Sequence, residues 1–215
     1  MNESTSKEKI LKKIRKALIQ KNDSPYASTD YETPVFHPAE NSLDLTFAEA
    51  FIAIGGQFRF CENLEELSQG LSALMEEHQW KHVYCFEDNL KDILKDMQLS
   101  YVDNKTEFSN IDAGITTCEF LVARTGTILM SSAKSSGRKL PAFAPVHVVI
   151  ASTNQLQYDL SDGLAALQKK YGEKWPSMVT AITGPSRTAD IEKTLIIGAH
   201  GPKEVYVFLL DSGKS

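Results

Sequence analysis

MVTAITGPSRTADIEKTLIIGAHGPKEVYVFLL, residues 178–210, carries the signal that decides the fold class. MVTAIT (178–183) and EVYVFLL (204–210) are apolar and rich in β-branched and aromatic side chains, so both read as strands. Between them Gly184-Pro185 turns the chain, and Ser186 or Thr188 offers a helix cap. Asp190 and Glu192 follow as first-turn acids, which predicts a short helix over 187–197. Strand, turn, helix and strand make the repeating unit of a parallel α/β sheet.

The same alternation extends towards the N-terminus. Helices are read over 45–54, stopped by Gly55-Gly56, and from Asn63, whose cap is reinforced by Glu66. Asp88 is expected to cap a helix to about 96, and Leu160, Leu164, Leu167 and Tyr171 mark another that ends at Gly172. QFRFC (57–61), HVYCF (82–86), residues 113–117 and VHVVIA (146–151) read as strands, and LVARTGTILMSS (121–132) as a hairpin around Thr125-Gly126. Near-continuous apolar strands imply a sheet covered on both faces. The expected fold is therefore α/β and three-layer, a mostly parallel sheet flanked by helices. The last strand, 204–210, is a candidate edge for pairing with a second chain.

Residues 1–21 read as a basic amphipathic helix, with Ile10, Leu11, Ile14, Ala17 and Leu18 on one stripe. Residues 22–42, with three prolines, read as an extended linker or arm, and 43–215 as the α/β domain. Net charge is −5, but residues 1–24 hold seven basic and three acidic side chains, so the remainder is strongly acidic. An acidic body excludes broad nucleic-acid binding. Apolar runs such as VYVFLL stop at six residues, far short of the ~18 that span a bilayer. With no signal-peptide pattern at the start of the sequence, the expected compartment is cytoplasmic.

Cys61, Cys85 and Cys118 are widely separated in sequence and form no CxxC, which excludes a self-contained iron–sulfur cluster. His37, His78, His82, His147 and His200 show no HExxH or paired spacing, so no metal site is expected, and neither GxGxxG nor Walker A occurs. The chemistry is sought in polar turns. After the strand at 178–183, the residues Thr183, Gly184, Ser186, Arg187, Thr188 and Asp190 would place backbone N–H groups, hydroxyls and a guanidinium at a helix start, a setting that holds a carboxylate. The nearby acids favour a monocarboxylate over a phosphate dianion. His200, between Gly198 and Gly201-Pro202, is the candidate general acid–base. Ser186, His200 and Asp190 also hold the residue types of a hydrolytic triad, but no GxSxG elbow surrounds the serine. Two further ligand-binding candidates are the turn Thr125-Gly126-Thr127 and Arg138 in the loop Ser135–Lys139.

The run Thr183–Glu192, TGPSRTADIE, followed by Gly198-x-His200-Gly201-Pro202, resembles the lactate utilization protein C family, also called YkgG, whose domain is the LUD domain. Thr125-Gly126-Thr127, Gly137-Arg138 and the strand with His147 occur in the order of that family, and the resemblance covers roughly residues 43–211. It implies a fold of the sugar-isomerase/CoA-transferase-like (NagB/RpiA) group, which includes 5-formyltetrahydrofolate cyclo-ligase. It also implies a place in a three-component bacterial system oxidising L-lactate to pyruvate. The two partners of that system resemble iron–sulfur proteins, and this chain would be the member without a cofactor, holding a small carboxylate ligand. Arg124 departs from the family, where an acidic residue commonly precedes the TGT turn. Two other readings remain open: a stand-alone enzyme on a small anionic metabolite, and a scaffold subunit without chemistry whose basic helix and arm dock an acidic partner.

Overall fold

The computed structural model describes residues 5–19, 26, 28–30, 41–104, 110–191 and 194–213. The chain divides into two units, Met1–Pro38 and Ala39–Ser215. In the first, α1 (Ser6–Ile19) starts from a reciprocal cap: Glu8 N donates to Thr5 Oγ1 at 3.4 Å, and Thr5 N donates to Glu8 Oε2 at 3.0 Å. Its apolar stripe is read correctly from sequence, but none of its residues is buried. Most of the arm at 22–42, including Tyr31, Val35 and Phe36, lies outside the described residues.

The second unit begins with α2 (Leu43–Ala53), β1 (Gln57–Cys61) and α3 (Leu64–Glu77). Asn63 Oδ1 accepts from Glu66 N at 3.0 Å, so the sequence cap is the structural cap. β2 (Val83–Tyr84) and α4 (Asp88–Asp96) follow. The cap expected at Asp88 is displaced by one residue: Glu87 occupies the cap position, and its carboxylate is taken by Thr117 instead. Next come β3 (Ala113–Thr117), the hairpin of β4 (Phe120–Val122) and β5 (Thr127–Ser131), α5 (Leu140–Phe143) and β6 (Val146–Ser152). The chain closes with β7 (Leu156–Gln157), α6 (Leu160–Tyr171), β8 (Val179–Ile182), β9 (Arg187–Ile191), β10 (Thr194–Ile197) and β11 (Glu204–Leu210).

Five strands form a wholly parallel sheet in the order β1-β11-β6-β3-β2. β11, a candidate edge from sequence, lies inside it: Val207 pairs with Phe58 on one side and Val149 on the other. One face carries Ile115, Val148, Ile150 and Phe208 against Leu67 and Leu71 of α3 and Leu90 and Leu94 of α4. The other carries Val149, Val205, Val207 and Leu209 against Phe47 and Phe51 of α2 and Leu121, Ile128 and Met130. Burial from both sides is why the central strands β6 and β11 are apolar at most positions.

The second face corrects the expectation of helices on both sides. A four-stranded sheet, β7-β4-β5-β8, shares that face with α2, and two of its three pairings are antiparallel. The three layers are therefore helices, parallel sheet, and a smaller mixed sheet with α2. The cause is the 120–131 hairpin, whose Leu121, Ile128 and Met130 form a buried face of their own.

Candidate functional site

The TGPSRTADIE motif does not open a helix. β9 and β10 form a two-stranded antiparallel ribbon separate from both sheets, with Ile197 opposite Arg187 and Ile196 opposite Thr188. Thr188, Ile191, Thr194, Ile196 and Ile197 explain this, since β-branched side chains lose rotamer freedom in a helix and fit a pleated strand. The helix expected over 187–197 is therefore absent, and so is the helix start expected to attract an anion.

The motif nevertheless builds a cleft. After β8 the chain turns at Gly184, where φ is +78° and a Cβ would lie 3.0 Å from the Ile54 carbonyl oxygen, so glycine is required. Ser186 N donates to Pro202 O and Gly198 N donates to Ser186 O, both at 2.9 Å, tying the two ends of the motif together. A cleft of about 370 Å³ opens here. It is walled by Thr180, Ile182, Thr183 and Gly184, by Ser186, by His200-Gly201-Pro202, by Gly137-Arg138, and by Met130, Pro141 and Met178.

Five predicted residues thus converge: Thr183, Gly184, Ser186, Arg138 and His200. The Ser186 hydroxyl and the His200 ring make no hydrogen bond to a described residue, whereas Arg138 spends one donor on Ser177 Oγ. Arg138 is exposed at the rim. The cleft residues 200–202 and 141–142 immediately precede β11 and β6. It therefore lies at the amino ends of two parallel strands, not at the carboxyl ends where α/β sheets usually place ligands.

Among the described side chains, the remaining candidates do not line it. Arg187 donates to the Ile54 carbonyl at 2.7 Å and so pins β9 to the end of α2. Thr188 and Asp190 belong to β9. Thr127 Oγ1 links Thr125, at 2.7 Å, to Thr183, at 2.9 Å, supporting the cleft from behind. Gly126, at φ +61°, serves packing: a Cβ there would sit 2.6 Å from Phe51 N of α2. Arg124, the departure from the family pattern, pairs with Asp159, the cap residue of α6, at 2.8 Å.

Sequence reasoning missed three buried or half-buried polar arrangements. Glu119, fully buried, accepts from Ser131 Oγ at 2.6 Å, Tyr171 OH at 2.7 Å and Lys170 Nζ at 2.7 Å. Burial pushes its carboxyl up, but Lys170 and the two hydroxyls outweigh this and hold it below the usual carboxylate range. Thr117 Oγ1 accepts from Lys134 Nζ at 2.6 Å and donates to Glu87. His147 Nε2 lies 2.8 Å from Thr116 Oγ1, its Nδ1 has no partner, and burial pushes the imidazole down to about 3. Only the polar interruption of an apolar run, as in VHVVIA, signalled any of these.

The three thiols are buried, Cys61 and Cys85 in one core cluster and Cys118 in the other. Desolvation raises all three, Cys118 to about 12, which suits packed side chains rather than thiolate ligands. Among the described residues no group of three or more His, Cys, Asp or Glu could hold a metal ion, and no helix is long and apolar enough to cross a membrane.

Comparison with known proteins agrees with these observations. The LUD domain family model matches residues 4–210. An uncharacterised protein of Neisseria meningitidis serogroup B is 36% identical over 107 residues, covering 49% of this chain and 46% of that protein. Lactate utilization protein C of Halalkalibacterium halodurans is 28% identical over 164 residues, covering 69% of this chain and 71% of its own. That of Shouchella clausii is 25% identical over 186 residues, covering 80% and 81%. A crystal structure of a DUF162 family protein from Deinococcus radiodurans shares the fold, with a TM-score of 0.57 at 16% identity over 78% of this chain and 96% of that one. With residues 4–210 matched by the family model, the chain belongs to the LUD domain family and is a distant homologue of proteins named lactate utilization protein C.

Proposed function

We propose that this chain is the cluster-free subunit of an assembly oxidising L-lactate to pyruvate, and that its cleft holds a small carboxylate. The observation that carries the site is the convergence of Arg138, Ser186 and His200 on one cleft, with the serine and histidine side chains uncommitted. Arg138 pairs with the carboxylate, a role the sequence had offered to Arg187. Ser186 orients the hydroxyl of the ligand, and His200 accepts its proton. Oxidation of the alcohol also breaks the Cα–H bond, releasing a second proton to solvent together with two electrons, for which the buried thiols of this chain provide no cluster. Two iron–sulfur partners would take up those electrons, and the parallel α/β sheet is compatible with a relation to the sugar-isomerase/CoA-transferase-like group.

The test is genetic. Deleting the chain from its host should abolish growth on L-lactate and spare growth on glucose, and an Arg138→Ala copy should fail to restore it. Undiminished growth of the deletion strain on L-lactate would overturn the proposal.

A further inference from the structure

The cleft is larger than L-lactate needs. It is open to solvent on one side and offers about 370 Å³. Even at the roughly 30 Å³ that a whole water molecule takes in the liquid, an upper bound for a covalently bonded atom, the non-hydrogen atoms of L-lactate take at most about 180 Å³. About half of the cleft would then be left to water. Its walls are poor hosts for that water, since Met178, Ile182 and Pro141 are apolar and the hydrogen-bonding side chains are few. The methionine adds an unbranched, polarizable side chain that moulds to irregular apolar shapes. The volume falls within the range of sites built for ligands well above a three-carbon acid, which are mostly apolar with a few convergent polar groups.

We infer that the cleft is shaped for an α-hydroxy acid with a branched or aromatic side chain, its carboxylate on Arg138 and its apolar arm against Met178 and Ile182. The inference rests on the carboxylate reading above and narrows it. L-phenyllactate, with twice as many non-hydrogen atoms, stays within the cleft on the same upper bound.

Titration calorimetry on the full chain with L-lactate, L-α-hydroxyisocaproate and L-phenyllactate tests this. Affinity should rise along that series, with L-phenyllactate at least about tenfold tighter than L-lactate through added apolar burial. Met178→Trp, which fills the apolar side, should remove the advantage of L-phenyllactate over L-lactate at an unchanged melting temperature. L-lactate binding as tightly as the larger acids would overturn the inference and leave the carboxylate reading standing. Failure of all three acids to bind at millimolar concentration would overturn both.

Discussion

Arg187 stands inside the family motif, yet its guanidinium is occupied by the Ile54 carbonyl, while Arg138, far away in sequence, lines the cleft. The two arginines therefore separate binding from stability. Arg138→Ala should weaken carboxylate binding about tenfold or more with an unchanged melting temperature. Arg187→Ala should cost about 1–2 kcal/mol of stability and leave affinity intact, as calorimetry and thermal unfolding together would show. A second residue sets a pH dependence. His147 is neutral in the fold down to about pH 3, whereas an unfolded-chain histidine takes up a proton near 6.5. The unfolded chain thus binds more protons between those values, and stability falls as pH drops through that window, by up to about 1.4 kcal/mol per pH unit. His147→Gln should flatten that acid limb in urea titrations run from pH 7 to 4. An unaltered slope would remove His147 as its cause.

At the scale of elements, the hairpin joining β4 to β5 is held against α2 by a glycine that no side chain can replace. Gly126→Ala adds a Cβ 2.6 Å from Phe51 N in a left-handed conformation, so a loss of about 2–4 kcal/mol is expected by urea unfolding. A melting temperature within a degree of the wild type would refute that packing. The elements also show what could be read in advance. α3 was legible because its cap and leucine stripe are local signals that nothing distant opposes. β9 and β10 were misread because hydroxyls and acids after a Gly-Pro turn imitate a helix start, and the β-branched content carried the truer signal. The cleft was legible in part: Ser186 and His200 share one motif, but the choice of Arg138 over Arg187 depends on loops that meet only in the folded chain. The buried Glu119 had no local signature, because its partners lie 12 to 52 residues away.

At the scale of the whole molecule, charge and fold are divided. The basic α1 exposes Ile10, Ile14 and Leu18, while the remainder of the chain is acidic. An apolar stripe framed by lysines suits an acidic partner, so removing residues 1–42 should abolish association with the proposed iron–sulfur partners and leave the α/β unit with its full melting temperature. Association that persists without these residues would exclude that docking route. The parallel sheet, the mixed sheet and the cleft all belong to Ala39–Ser215, which therefore holds the proposed ligand site. The most direct test of the central claim is to purify the tagged full chain from its own host grown on L-lactate and record the visible spectrum of what accompanies it. The account predicts brown, cluster-bearing partners whose absorbance bleaches when L-lactate is added. A colourless chain recovered alone would contradict it.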